Sequence, residues 1–238
     1  MIDMAKFYIA GCFADNIIVD KDANKIEKQV GGPAHFIKNV LDQLGEEYEV
    51  AKGKRGIVEI HVQNGKEIGR FPRACKVSYT PITSQIVLAY AVSNELCLDS
   101  LKGKYEEIYM DAKGFVRNPE KFGERRECWI KNVEKVMVLK TTRSGIEYLP
   151  KNLLSHIFEK GVLIITEPKL VTIVEGGAET KIEVDEVSAP ASIGTEETFF
   201  AAFSSEYSKK KDAKKAAEFA IAHTRNFISS EKKVADEE

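Results

Sequence analysis

Short apolar runs recur along the chain, and most have the length of a strand. "KFYIAGC" (Lys6 to Cys12) is β-rich, ends in glycine and predicts a buried first strand. "IVLAYAV", "EIYMD", "VMVLK" and "VLIIT" have the same form, with helix-compatible stretches between several of them. Runs of this kind predict a mostly parallel central sheet with helices covering both faces, an α/β architecture. Two other segments predict hairpins. In "GIVEIHVQNGKEIGRF", Val58, Ile60 and Val62 alternate with Glu59 and His61, and Asn64-Gly65 is a favoured type I′ turn. "LVTIVEGGAETKIEV" is the second, turning at Gly176-Gly177.

Helical periodicity is clearest in "GGPAHFIKNVLDQLG". Phe36, Ile37, Val40, Leu41 and Leu44 fall on one face, Pro33 suits a first turn and Gly45 suits a left-handed C-terminal cap. The C-terminal part predicts helices from Thr195 to about Tyr207 and from Asp212 to about Ser229. Ala216, Phe219, Ala220, His223 and Phe227 share a face of the second. No internal repeat or low-complexity linker interrupts the pattern. It predicts a single domain over residues 1–230 and a flexible, solvated tail over 231–238.

Composition narrows the function classes. A formal net charge of -2 supplies no basic field, so no nucleic acid partner is expected. No apolar run approaches the ~18 residues a membrane span needs. The opening "MIDMAKFYIAG" has no basic region before its apolar stretch, so no leader is expected and cytoplasm is the default compartment. Cys12, Cys75, Cys97 and Cys128 stand far apart without a CxxC pair, which argues against zinc and for reduced intracellular thiols. The abundance of Lys and Glu fits a heat-adapted host.

The chemistry-bearing motifs of several enzyme classes are missing. His35, His61, His156 and His223 are scattered, with no HExxH, and no metal site is expected. No G-x-S-x-G, no P-loop and no G-x-G-x-x-G after the first strand occurs. Two constellations remain. Gly31-Gly32-Pro33-Ala34 opens the first helix and reads either as a tight, well-capped turn or as backbone that a ligand can approach closely. "SIGTEETFFAAF" (Ser192 to Phe203) starts a later helix after "KIEVDEV" and the loop "SAPASIG". It reads either as an ordinary helix start, with Thr195 as N-cap and Glu196 and Glu197 complementing the dipole, or as a phosphate-holding corner.

Taken together and in this order, the motifs resemble the ribokinase-like (PfkB) family of carbohydrate kinases, nearest its archaeal and plant myo-inositol kinase-like branch. "IAGCFADNIIVD" resembles the family's first strand and substrate loop. "GGPAHFIKNVLDQLG" is similar to its early glycine motif, with an aromatic at Phe36, and "MDAKGFVR" to its D-x-x-G-x-x-R segment. The resemblance implies a three-layer α/β sandwich with a small β lid at about 13–30 and 56–75, the second lid segment standing off the main sheet. It also implies ATP as donor, Mg²⁺, a small sugar, polyol or nucleoside as acceptor, and a homodimer formed through the lid. By this likeness the acceptor side falls on Asn16, Gly31, Gly32 and Phe36, the phosphate side on Gly194, Thr195 and Glu196, and the catalytic base on Glu197.

The pattern departs from the family in the same places. "GTEE" puts Glu196 on a glycine and Glu197 on the catalytic Asp, so a charged side chain stands where backbone is expected to meet a phosphoryl group. Asn16 replaces an acceptor-binding Asp, with Asp15 as a substitute after a register shift. "TEPKL" (Thr166 to Leu170) lacks the glycine of a nucleotide-side T-x-G. Two readings follow: a degenerate member that retains a ligand pocket with weak or lost phosphoryl transfer, and an active ATP-dependent kinase using Glu197.

Overall fold

The computed structural model describes residues 5–64, 66–78, 80–121, 124–184 and 193–236. In chain order the elements are β1 (Ala5–Ala10), β2 (Ala14–Asp20), β3 (Lys25–Gly31), α1 (Pro33–Gln43), β4 (Tyr48–Val50), β5 (Lys52–Lys54), β6 (Gly56–Gln63) and β7 (Lys66–Arg73). Then come β8 (Lys76–Ser78), β9 (Ile82–Tyr90), β10 (Gly103–Lys104), β11 (Glu107–Asp111), β12 (Val136–Thr142), α2 (Lys151–Lys160) and β13 (Val162–Glu167). β14 (Leu170–Glu175), β15 (Ala178–Glu183), α3 (Thr195–Lys210) and α4 (Ala213–Asp236) follow.

The apolar runs assemble into one large sheet in the order β15-β14-β13-β12-β11-β9-β1-β4, with β10 on β9. From β4 to β13 every pair is parallel, and the β14–β15 hairpin extends the β13 edge antiparallel. Side chains alternate across the sheet. Phe7, Ile9, Leu88, Tyr109 and Val138 join the core with α1, α3 and α4, whereas Tyr8, Val87, Met110, Leu139 and Leu163 face the other side. The expected helical cover of both faces is only half realised. On the second face α2 contributes Leu153 and Ile157, and irregular chain carrying Leu96, Leu98, Phe115, Val116 and Ile130 does the rest. Among the described residues no α-helix lies between β9 and β11 or between β11 and β12. Those apolar residues plug the sheet singly and show no helical period.

A second sheet, β3-β2-β6-β7, forms the lid, and β5 pairs with β8 where the lid returns to the body. The β6–β7 hairpin closes at Gln63 opposite Lys66, with Asn64 at φ 53 as a primed turn asks; Gly65 lies outside the described residues. α1 buries Phe36, Ile37, Val40 and Leu41, as its periodicity predicts. α3 starts at Thr195, so the N-cap is Gly194 and not Thr195; most of the loop before it, residues 185–192, lies outside the described residues. α4 continues to Asp236, through most of the stretch expected as a tail. Among the described residues no helix is long and apolar enough to cross a membrane.

The cysteines depart from expectation. Cys12 and Cys75 form a disulfide, with Cα atoms 6.1 Å apart, while Cys97 and Cys128 are thiols. Spacing along the chain carried no sign of the pair, because the folded-back lid brings its two ends together. Burial pushes the Cys128 thiol up to about 11.

Candidate active site

Parallel strands all end on one side of the sheet, and ligands of open α/β sheets gather beyond those ends. Here a cleft of about 990 Å³ lies beyond the C-terminal ends of β9, β11, β12 and β13. Its floor carries Val92, Lys113, Lys140, Thr142 and Thr166. Asn16 of β2, Val58 and Ile60 of β6 and Phe71 of β7 overhang it from the lid. The first turn of α3 closes one end with Gly194, Thr195, Glu196 and Glu197.

The electrostatic centre is a chain of four groups. Asp111, fully buried at the end of β11, accepts from the Lys140 ammonium at 2.6 Å and from the Lys113 backbone N–H at 2.8 Å. Lys140 also donates to Glu196 at 3.1 Å, and Lys113 donates to the other oxygen of Glu196 at 2.7 Å. Two ammonium groups are thus matched by two carboxylates. Although burial disfavours its charge, Lys140 is held well above the ordinary lysine range by Asp111 and Glu196. Glu196 is also opposed by burial, yet Lys140 and Lys113 hold it well below the carboxylate range. Among the described residues Glu197 forms no ion pair. Burial first, and the neighbouring Glu196 charge second, raise it above its ordinary value.

Lys113 and Lys140 are the site residues that sequence reasoning missed. Both stand in quoted segments, "MDAKGFVR" and "VMVLK", and a lysine closing an apolar strand run was the available signal. Arg117 of the same D-x-x-G-x-x-R segment donates to the Val92 carbonyl at 2.7 Å and lines the cleft. The open repulsion expected of Glu196 is corrected by these contacts, because the carboxylate is neutralised where it stands.

The residues expected on the acceptor side divide. Asn16 is buried on the inner face of β2 and lines the cleft. Strand alternation turns Asp15 outward, where it meets Arg55 at 3.1 Å, so no register shift brings Asp15 in. Gly32 and Phe36 line the cleft, whereas Gly31 does not: a methyl there would collide with the Asn16 side chain. The close approach that Gly31 permits is Asn16's own. Phe36 also packs against the start of α3. Gly194 sits at φ 91, and any Cβ on it would run into the Phe36 ring.

A bound nucleotide and its Mg²⁺ would meet these same residues in the cleft. The Thr195 hydroxyl at the start of α3 is buried without a hydrogen-bond partner among the described residues, which suits an incoming anion. Against it, Asp111 and Glu196 engage both lysines, and Glu196 is set beside Glu197 in the first turn. Thr166, Glu167 and Pro168 of "TEPKL" line the cleft, with Pro168 where the missing glycine was sought and the Glu167 carboxylate beside it. As arranged, the residues do not fit a triphosphate.

Neither protein-family models nor the sequences of curated proteins match the chain. Solved structures do. A pyrophosphate-dependent kinase of the ribokinase family, complexed with a pyrophosphate analogue and myo-inositol, superposes with a TM-score of 0.68 over 92% of this chain and 93% of its own, at 18% identity. Ribokinase from Thermotoga maritima gives 0.60 over 93% and 92%, at 14% identity. Arabidopsis thaliana ribokinase, complexed with ribose and ATP, gives 0.61 over 93% and 91%, at 10% identity. The chain has the ribokinase-like fold, a three-layer α/β sandwich with a mostly parallel sheet and a β lid. It is a carbohydrate-kinase fold.

Proposed function

We propose that the cleft binds a small polyhydroxylated molecule, a sugar, polyol or nucleoside, and that phosphoryl transfer from ATP is weak or lost. The observation that carries this reading is Glu196 bridging Lys113 and Lys140. Its carboxylate takes the place at the cation pair that a donor phosphate would need, as a tethered anion at high effective concentration. Asn16 offers the acceptor an amide, which donates and accepts but carries no charge. The pyrophosphate-analogue and myo-inositol complex of a similar fold supports a small polyol as acceptor class. Titration calorimetry with a panel of polyols, sugars and nucleosides, and separately with ATP and Mg²⁺, tests both halves. Acceptor heats without ATP heats are expected; ATP binding in the low micromolar range overturns the second half.

Glu197 favours a second reading, an active kinase. It is a partly buried carboxylate on the cleft wall whose pKa burial raises, which favours proton acceptance by a general base. A measured ordinary turnover of a polyol with ATP decides for it. In either case the exposed lid edge is expected to pair two copies of the chain.

A further inference from the structure

The lid is tied to the body at a point outside the cleft. The chain first enters the lid through residues 11–13, between β1 and β2, leaves it after β3 for α1 and β4, returns at β6, and leaves it last through 74–75, between β7 and β8. Cys12 and Cys75 sit on the first and last of these crossings and are bonded to each other. Both are buried with Ala14 in a small apolar cluster packed by Val58, Val77 and Val92. The Glu95 carboxylate adjoins them. It accepts from the backbone N–H of Val92 at 2.8 Å and of Ser93 at 2.7 Å, and an oxygen lies 3.6 Å from the Cys12 sulfur. A cavity of about 90 Å³, lined by Phe71, Cys75, Val92 and Glu95 among others, opens beside the pair.

The same residues reach the cleft. The Cys12 carbonyl accepts from the Ala34 backbone N–H at 3.1 Å at the start of α1. Val92 lines the cleft and receives Arg117 on its carbonyl. Asn16 stands on the strand that Cys12 leads into. The Cys12–Cys75 bond therefore ties together the first and last of the lid's connections to the body, next to residues that line the cleft.

We propose that Cys12 and Cys75 form a reversible thiol–disulfide latch that holds the lid sheet over the cleft when oxidised and releases it when reduced. The oxidant is a small-molecule disulfide such as oxidised glutathione. Glu95 is placed to take the Cys12 proton as the thiolate forms. The thiolate attacks one reagent sulfur, the reagent S–S bond breaks and one small thiol leaves with a proton. Cys75 then attacks the mixed disulfide and expels the second small thiol with the other proton. Two protein thiols are oxidised and one reagent disulfide is reduced.

The full chain is equilibrated in glutathione buffers of graded ratio, alkylated and mapped by peptide mass, and hydrogen exchange is followed in each form. Cys12 and Cys75 should lose alkylation together as the buffer becomes oxidising. Exchange over 14–20 and 56–63 should slow about fivefold or more in the oxidised form, with β11 and β12 unchanged. Cys75→Ser should show the fast lid exchange in every buffer. Should that variant fold poorly, the reduced parent protein makes the same comparison. Alkylation of both cysteines at every ratio overturns the proposal, as does identical lid exchange in the two forms. Retention of one zinc ion per chain, with both thiols protected until a chelator is added, overturns it in favour of a metal site of Cys12, Cys75 and Glu95.

Discussion

Glu196 and Lys140 face each other at 3.1 Å across the start of α3, so a carboxylate from the helix's own first turn occupies a buried cation. Removing that carboxylate is expected to open the site to an external anion. Glu196→Gly combined with Glu197→Asp should raise affinity for ATP or for inorganic pyrophosphate by about tenfold, near 1.4 kcal/mol. Glu197→Asp alone should do less, because Glu196 still holds the lysines. Calorimetry on the three proteins checks this, and a double variant that folds and gains nothing moves the fault to Asn16 or to "TEPKL".

Lys140 and Asp111 are both fully buried, and neither can lose its partner cheaply. Lys140→Met should cost about 3–5 kcal/mol by leaving Asp111 charged and uncompensated. Adding Asp111→Leu should recover much of the loss, since the pair as a whole carries a large desolvation cost. Denaturant midpoints of the single and double variants provide the measurement.

The two glutamates of α3 have opposite pH signatures. Glu197 is raised by burial, so its contribution to stability is complete below the unfolded value near 4.5 and is lost as pH rises through its folded pKa. Glu197→Gln, which mimics the protonated form, should therefore gain on the parent as pH increases from 4 toward 8. Glu196 is lowered by its lysines, so its contribution is present above 4.5 and is lost as pH falls. Glu196→Gln should lose ground at neutral pH and approach the parent below about pH 4. Urea unfolding across this range separates the two. If Glu197 works as a base, turnover rises with pH through that same raised pKa.

On the lid, β3 is an edge strand with Ile26 at 68% exposure and Val30 at 47%. Open apolar edges invite a second strand. A dimer is expected in sedimentation experiments, and Ile26→Lys with Val30→Lys should return a monomer of unchanged thermal stability.

What could be read from the sequence was local. Strand runs such as "VLIIT" and the Asn64-Gly65 and Gly176-Gly177 turns state their geometry within a few residues, and α1 announces both of its ends. The ordered co-occurrence of the two glycine motifs with the first-strand and D-x-x-G-x-x-R segments carried the fold. Lys140 was not legible in the same way, since a lysine reads as solvent-facing until β11 supplies Asp111 beside it. Nor was the Cys12–Cys75 pair, which exists only because the lid returns to where it began. The irregular cover over the second face left no period to detect. Phe115 and Val116 pack as single plugs.

The contact between Phe36 and Gly194 imposes an order on how this site can change through descent. Position 36 could accept a smaller ring or an aliphatic chain at the cost of packing alone. Position 194 has no such freedom, because its φ of 91 asks for glycine even after the ring has gone. Drift can begin at position 36 and can reach position 194 only by rebuilding the helix start. Lineages that branched from this sequence should vary at 36 beside an unaltered 194, with the reverse combination missing.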